Sequence, residues 1–517
     1  MGDVMNANLF ARLEASIRDT GKTAIVVPQG PTYTYGDLVA LSGRLANVLV
    51  ERGVKPGDRV TVQVEKSVTA LALYLATLRA GAIFLPLNSA YTLAEVEYFV
   101  GDAEPALIVC DPSKHSGMVS IASKVGAVVE TLDPAGNGSL ADAANGVDAA
   151  FDTVQRGADD LAAILYTSGT TGRSKGAMLS HGNLTSNALS LIDVWRFTED
   201  DVLIHALPIY HTHGLFVATN VTLFSGASMV FLSKFDADQI LDLMATSTVL
   251  MGVPTFYVRL LQSTRLAEAS LAMRLFISGS APLLAETHVD WNQRTGHAIL
   301  ERYGMTETNM NTSNPYDGER VPGTVGLPLP GVSVQITDPD TAAVLERNQI
   351  GMIEVKGPNV FKGYWRMPEK TAAELRADGF FITGDLGKID ERGYVHILGR
   401  GKDLVITGGF NVYPKEVEEE IDAVAGVVES AVIGLPHKDF GEGVTAVVVR
   451  ALGSSVDEAA ILGAIGDRLA KFKLPKKVLF VNELPRNTMG KVQKNVLREQ
   501  FKELYSPQQT AKVTAHG

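Results

Sequence analysis

Cysteine is almost absent: Cys110 is the only one in 517 residues. A single thiol excludes an internal disulfide and any multi-thiolate metal site. Its apolar run, Ala106-Leu107-Ile108-Val109-Cys110, predicts a structural position on a buried strand. Long apolar runs are missing too, and none reaches the roughly 18 residues that a membrane-crossing helix needs. The N-terminal residues lack the basic flank and apolar centre of a signal peptide, and Asn6 stands where a myristoylation signal wants Ser or Thr. The expected location is the cytoplasm, with no membrane partner. Positive charge is in deficit, 46 Lys and Arg against 58 Asp and Glu, a net charge of -12. That balance argues against nucleic acid or an anionic membrane as a general partner, so an anionic substrate has to be drawn by local charge.

What is present is a chain with 46% hydrophobic and 20% charged residues, enough for two or more domains. Residues 22 to 150 alternate helical patterns such as Tyr35 to Gly53 with short apolar runs at Arg59 to Val64 and Ala106 to Val109, the rhythm of βαβ units. The alternation returns from Ala162 to about Met305, with strands expected at Ala162 to Tyr166, Ser228 to Leu232, Val249 to Val253 and Leu275 to Ser278. From Gly323 to Arg400 the texture becomes short β-rich runs broken by Gly, Pro and Asp, including Val332 to Thr337, Gly351 to Lys356 and Gly393 to Leu398. This predicts a small β-subdomain. Helix and strand alternate afresh afterwards, at Pro414 to Val424, Val428 to Leu435 and Gly443 to Val449. The expected class is α/β: a large N-terminal domain over residues 1–400, and a small α+β C-terminal domain over 401–517 with a frayed tail from Ser506.

The most specific local signal follows the apolar run Ala162 to Leu165. Tyr166-Thr167-Ser168-Gly169-Thr170-Thr171-Gly172-Arg173-Ser174-Lys175-Gly176 is rich in small, hydroxylated residues and ends near a lysine. Glycines let such a loop turn tightly and present N–H groups to anionic oxygens, while Lys175 adds charge. It is not a Walker A loop, because Gly172 is followed by Arg173 and the lysine comes three residues on. Further segments occur in order: Leu207-Pro208 to His211 with Gly214, Ser278-Gly279-Ser280-Ala281-Pro282, Tyr303-Gly304-Met305-Thr306-Glu307, Thr383-Gly384-Asp385, Gly399-Arg400, and Pro485-Arg486 with Gly490-Lys491. Together with the loop, they resemble the signature motifs of the adenylate-forming superfamily, which includes acyl-CoA synthetases, peptide-synthetase adenylation domains and beetle luciferases.

The resemblance implies a fold, a chemistry and a set of roles. ATP, Mg²⁺ and coenzyme A are the implied cofactor and co-substrates, and the C-terminal domain is expected to be mobile. Thr306 and Glu307 would contact the α-phosphate, with Glu307 and Thr170 on Mg²⁺. Thr167, Ser168, Gly169, Thr170, Thr171, Gly172 and Lys175 would cradle the phosphates. Tyr303, Gly304 and Met305 with Ser278, Gly279, Ser280, Ala281 and Pro282 would hold adenine, and Asp385 with Arg400 the ribose. Lys491 matches the catalytic lysine that bridges the attacking carboxylate and the α-phosphate, and His211 joins the catalytic set. Lys402 occupies the hinge position, and Gly408 and Gly409 would line the pantetheine tunnel. Acylation of Lys491 is a further theme the resemblance carries.

Choice of acid must come from polar groups in the acyl pocket. His211 matches a position commonly His in the superfamily, and His213 stands where amino-acid-activating domains keep an Asp, which argues against an amino-acid substrate. Thr255 and Arg259, four apart on a helix expected after Val253, share a face. A second carboxylate buried unpaired would cost several kcal/mol, and a guanidinium offers it two parallel donors. Arg259 is the chosen partner on that ground. The segments Val253 to Arg259 and Glu301 to Ser313 resemble malonyl-CoA synthetases in particular, with Met310 capping a small pocket. The implied reaction is ATP-dependent ligation of malonate or methylmalonate to coenzyme A through an acyl-adenylate; the alternative is another short-chain or aromatic acyl-CoA synthetase.

Overall fold

Strands buried on both faces read as unbroken apolar runs, and Leu107–Cys110, every residue of which is buried, is one of them. It belongs to a six-stranded sheet in the order Val128–Thr131, Leu107–Cys110, Arg59–Gln63, Ile83–Pro86, Leu161–Thr167, Lys175–Ser180. The first five strands are parallel, and only the last pair is antiparallel. These relations come from a computed structural model that describes residues 6–167, 174–407, 410–437, 439–469, 471–487 and 490–505. Ser168, Gly169, Thr170, Thr171, Gly172, Gly408, Gly409 and the tail from Ser506 lie outside the described residues.

A second, nine-stranded sheet runs in the order Leu327–Pro328, Asn309–Ser313, Leu300–Met305, Leu275–Ser278, Val249–Gly252, Val202–His205, Ser228–Phe231, Thr23–Val26, Thr32–Thr34. Its middle is parallel and its edges antiparallel. From Val202–His205 the chain moves one way to Ser228–Phe231, and from Val249–Gly252 it moves the other way to Leu275–Ser278. The crevice beyond His205 and Gly252 is therefore a topological switch point, where open α/β sheets collect ligands. Val253 stands outside its expected strand. It is the residue before Pro254, which disfavours continuation and instead opens the helix Pro254–Leu260.

The β-subdomain is a four-stranded antiparallel sheet, Ser333–Thr337, Gly351–Lys356, Phe381–Ile389, Val395–Arg400. Its last strand begins two residues later than expected because Gly393, at φ 92°, turns the chain first. From Val405 onward the described residues build a separate five-stranded sheet, with the helices Pro414–Asp422 and Lys494–Phe501 in contact with its strand Val427–His437. Among the described residues no helix is long and apolar enough to cross a membrane.

Candidate active site

The strand ends of both large sheets, the β-subdomain and the C-terminal sheet's last loop enclose a cavity of about 1010 Å³. Register explains one wall. Asp385 pairs directly with Arg400 across the subdomain strands, and Arg400 Nε lies 2.6 Å from Asp385 Oδ1. Tyr303, buried at the end of its own strand, donates its hydroxyl to Asp385 Oδ2 at 2.5 Å. A carboxylate has further lone pairs to offer, so two partners do not exhaust it. Thr383, Gly384 and Arg400 reach the cavity surface, and Asp385 and Tyr303 stand behind them.

A second wall carries charge for phosphate chemistry. Glu307 is buried at the cavity surface, and burial raises its carboxyl above the usual range. The Tyr364 hydroxyl sits 3.1 Å from Glu307 Oε1 and 2.7 Å from Glu374 Oε2, so one proton serves two carboxylates. Lys175 donates to Glu374 at 3.3 Å and lies 4.1 Å from the Tyr364 ring centroid. Among the described residues no group of three or more His, Cys, Asp or Glu could hold a metal. One buried carboxylate, Glu307, nevertheless fits Mg²⁺, which binds through one or two carboxylates, water and substrate phosphates.

Lys491 enters from the C-terminal loop. The loop is closed by Asn487, whose N–H donates to Lys491 O and whose Oδ1 accepts from Lys491 N, both at 2.9 Å, and by Arg486 Nη1 donating to Gly490 O at 2.6 Å. Gly490 has φ 75°, and a Cβ there would meet Thr255 at 3.3 Å, so this turn seats against the start of helix Pro254–Leu260. The Lys491 side chain is exposed, yet it lines the half-open cavity among protein groups that partly desolvate it. That desolvation, followed by Arg400 and Lys402, lowers its ammonium to about 8. Lys402 also lines the cavity, and burial lowers its pKa.

The third wall is formed by the loop after Val202–His205 and the end of Leu300–Met305. His211, His213, Arg302, Gly304 and Met310 line it. Burial brings His211 to about 4 and holds His213 well below its ordinary value, the latter helped by Arg302, so both rings are neutral. Arg302 is buried, and burial pushes its guanidinium down. Among the described residues its Nε and Nη2, like Nε2 of each histidine, have no hydrogen-bond partner. Buried polar atoms left unpaired are costly and unusual, and here the three residues that carry four such nitrogens all line the same cavity.

Family comparison agrees with this geometry. Residues 13–365 match the AMP-binding enzyme model, and residues 416–491 match the AMP-binding enzyme C-terminal domain. The chain belongs to the AMP-binding enzyme family. A malonate--CoA ligase of Arabidopsis thaliana is 34% identical over 552 residues, covering 95% of this chain and 90% of that protein. The crystal structure of ATP-bound MatB from Rhodopseudomonas palustris is 72% identical, has a TM-score of 0.96 and covers 97% of this chain and 100% of that one. Apo MatB of the same organism, at the same identity and coverage, has a TM-score of 0.85. This AMP-binding enzyme therefore resembles the ATP-bound arrangement more closely than the apo one.

Not every residue singled out from the sequence reaches the cavity. Thr167, Lys175, Ser280, Met305 and Thr306 line it. Ser278 and Gly279 are buried behind it, Ala281 is half-buried and Pro282 exposed. Arg259 does not reach it either. It is exposed, it is not part of the lining, and its guanidinium lies 5.7 Å from the Phe235 ring centroid. Helical spacing put it on a face with Thr255, but that turn of helix directs Thr255 toward the Lys491 loop and leaves Arg259 outside. The arginines that do line the cavity are Arg302, Arg400 and Arg498, and of these Arg302 stands on the histidine wall. The adjacent charges Glu301 and Arg302, directly after the apolar Ile299-Leu300, were the signal available.

Arg302 lies so close to the neighbouring strand end that any side chain at position 279 would have to displace its guanidinium. A Cβ there would stand 2.4 Å from Arg302 Cζ and 2.5 Å from Nη1. Gly279→Ala is expected to push the guanidinium aside and raise the KM for the acid by roughly tenfold, with a smaller change for ATP, since misplacement by about 1 Å is enough to cost that much. Steady-state kinetics with each substrate varied in turn checks it.

Proposed function

We propose that this enzyme ligates malonate, or its 2-methyl derivative, to coenzyme A using ATP, and that it does so through an acyl-adenylate. The observation that carries the reading is Arg302, a buried guanidinium with two unpaired nitrogens, flanked by the unpaired Nε2 atoms of His211 and His213. A monocarboxylate would spend its one anionic group on the reaction and leave Arg302 uncompensated. A dicarboxylate offers one carboxylate to the reaction and the other to Arg302. Met310, packed where a Cβ on Gly304 would lie 2.5 Å from its Cε, limits the room beside it. The malonate--CoA ligase relative supports the same substrate class.

In the first half-reaction a carboxylate oxygen attacks the α-phosphorus, the bond from that phosphorus to the β-bridging oxygen breaks, and pyrophosphate leaves with the electron pair. No proton need move, so the task is to bring anions together and stabilise the charge between them. Lys491 supplies an ammonium at the junction, and Thr306 and Lys175 take phosphate oxygens. Asp385, Arg400 and Tyr303 hold the ribose and adenine end. Glu307 is the residue that would hold Mg²⁺, and the ion, when bound, would offset phosphate charge.

In the second half-reaction the thiol sulfur of coenzyme A bonds to the acyl carbon, the acyl–oxygen bond to AMP breaks, and the thiol proton passes to solvent. Lys402 serves as the hinge about which the C-terminal unit turns, withdrawing Lys491 and clearing the thiol's path. Acylation of Lys491 would remove its charge and stop the first half-reaction alone. The experiment that tests the substrate is CoA-dependent AMP release across mono- and dicarboxylic acids. Malonate or methylmalonate should give the highest kcat/KM, and a preference for acetate, benzoate or a cinnamate would defeat the reading.

A further inference from the structure

Behind the histidine loop lies a lysine that the chemistry above does not use. Lys66 follows the strand Arg59–Gln63 of the six-stranded sheet and reaches the end of Val202–His205 in the nine-stranded one. It is 9% exposed, and among the described residues no carboxylate pairs with it. Its three ammonium hydrogens meet three acceptors: His205 Nδ1 at 2.9 Å, His205 O at 2.8 Å and Leu207 O at 2.9 Å. Phe231 packs against both partners, its ring centroid 4.1 Å from Lys66 Nζ and 5.2 Å from the imidazole.

The tautomer of His205 follows from its other nitrogen. Nε2 lies 2.9 Å from Gly214 O, which can only accept, so Nε2 carries the proton and Nδ1 is free to accept from Lys66. The connection Lys66–His205–Gly214 therefore ties the two ends of the 205–214 loop to each other. Between those ends stand His211 and His213. A Cβ on Gly214 would lie 2.0 Å from Pro208 O, which shows how tightly the loop closes. From His213 the chain continues as the π-helical turn His213–Thr219, a rare geometry that recurs at functional sites.

Burying an ammonium without a counter-ion is expensive, and an apolar side chain of similar length would fill the space at lower cost. We infer that Lys66 is a positioning residue for acid recognition: through His205 it fixes the curvature of the 205–214 loop and thus the direction in which His211 and His213 present their unpaired Nε2 atoms. The inference rests on the proposed reading that these two histidines face the acid.

The test compares wild-type enzyme with Lys66→Met, which keeps the length and removes the donors, and with His205→Gln, made in parallel, which leaves Lys66 in place and removes the imidazole bridge. Acid-dependent pyrophosphate exchange gives KM for malonate and for ATP, and a second series with propionate gives acid selectivity. Expected in either variant that folds, by thermal unfolding, is a malonate KM about tenfold higher, an ATP KM within about twofold of wild type, and a reduced preference for malonate over propionate. A malonate KM unchanged in a folded variant, or malonate and ATP KM rising together, would overturn the inference. If wild-type enzyme itself shows no preference for malonate, the substrate reading fails; if it prefers malonate and the variants keep that preference, only the role of Lys66 fails.

Discussion

Replacing Lys491 by alanine is expected to lower acid-dependent pyrophosphate exchange by roughly 10²–10³, the range seen when a group aimed at developing charge is removed. Transfer to coenzyme A from supplied malonyl-adenylate should stay within a few-fold of wild type. The division follows from position. Lys491 stands on the turn closed by Asn487 and Arg486, against Thr255 and lining the cavity, and its proposed role is to serve the approach of one anion to another. Once the adenylate exists, that approach is over. Equal loss in both half-reactions would contradict the role.

The same lysine sets a pH dependence. Burial, Arg400 and Lys402 bring its ammonium down to about 8, so in the free enzyme the charged form dominates below that pH and is lost above it. The kcat/KM of exchange should therefore carry a falling limb near pH 8, while transfer from supplied adenylate shows none there.

Arg302 is the second large effect. Removing one partner of a buried ion pair typically costs about 3–5 kcal/mol, because the other charge stays buried and unpaired. Arg302→Met should accordingly lower kcat/KM for malonate by 10² or more, at about 1.4 kcal/mol per factor of ten. Arg302→Lys should recover little of it, since a point charge does not reproduce two parallel donors. Activity toward propionate should fall less, and in Arg302→Met it is the acid that no longer brings an unpaired carboxylate. Arg259→Ala is expected to change malonate kinetics much less than Arg302→Met, because Arg259 is exposed and outside the cavity. The reverse order between the two arginines would restore the assignment that helical spacing suggested.

The contrast between those arginines shows what sequence can carry. Strand positions such as Leu275–Ser278 and Gly351–Lys356 were legible residue for residue, because burial on both faces or between turn residues leaves a local imprint. The ordered motifs were legible as well, since each packs its chemistry into a few adjacent residues. Which side of the helix Pro254–Leu260 meets the cavity was not legible: periodicity says which residues share a face, and tertiary packing decides where that face points. Lys66 and His205 are 139 residues apart and belong to different sheets, so no local pattern pairs them. The Glu307–Tyr364–Glu374–Lys175 cluster was hidden for the same reason, because three separate segments supply it.

The most direct measurement of the central claim uses malonate labelled with oxygen-18 in its carboxylates, together with ATP and coenzyme A, and mass spectrometry of the products. An acyl-adenylate formed on malonate leaves one labelled oxygen in each AMP released, none in pyrophosphate, and malonyl-CoA as the thioester. Unlabelled AMP, or label appearing in a phosphate product with ADP formed instead of AMP, would contradict it.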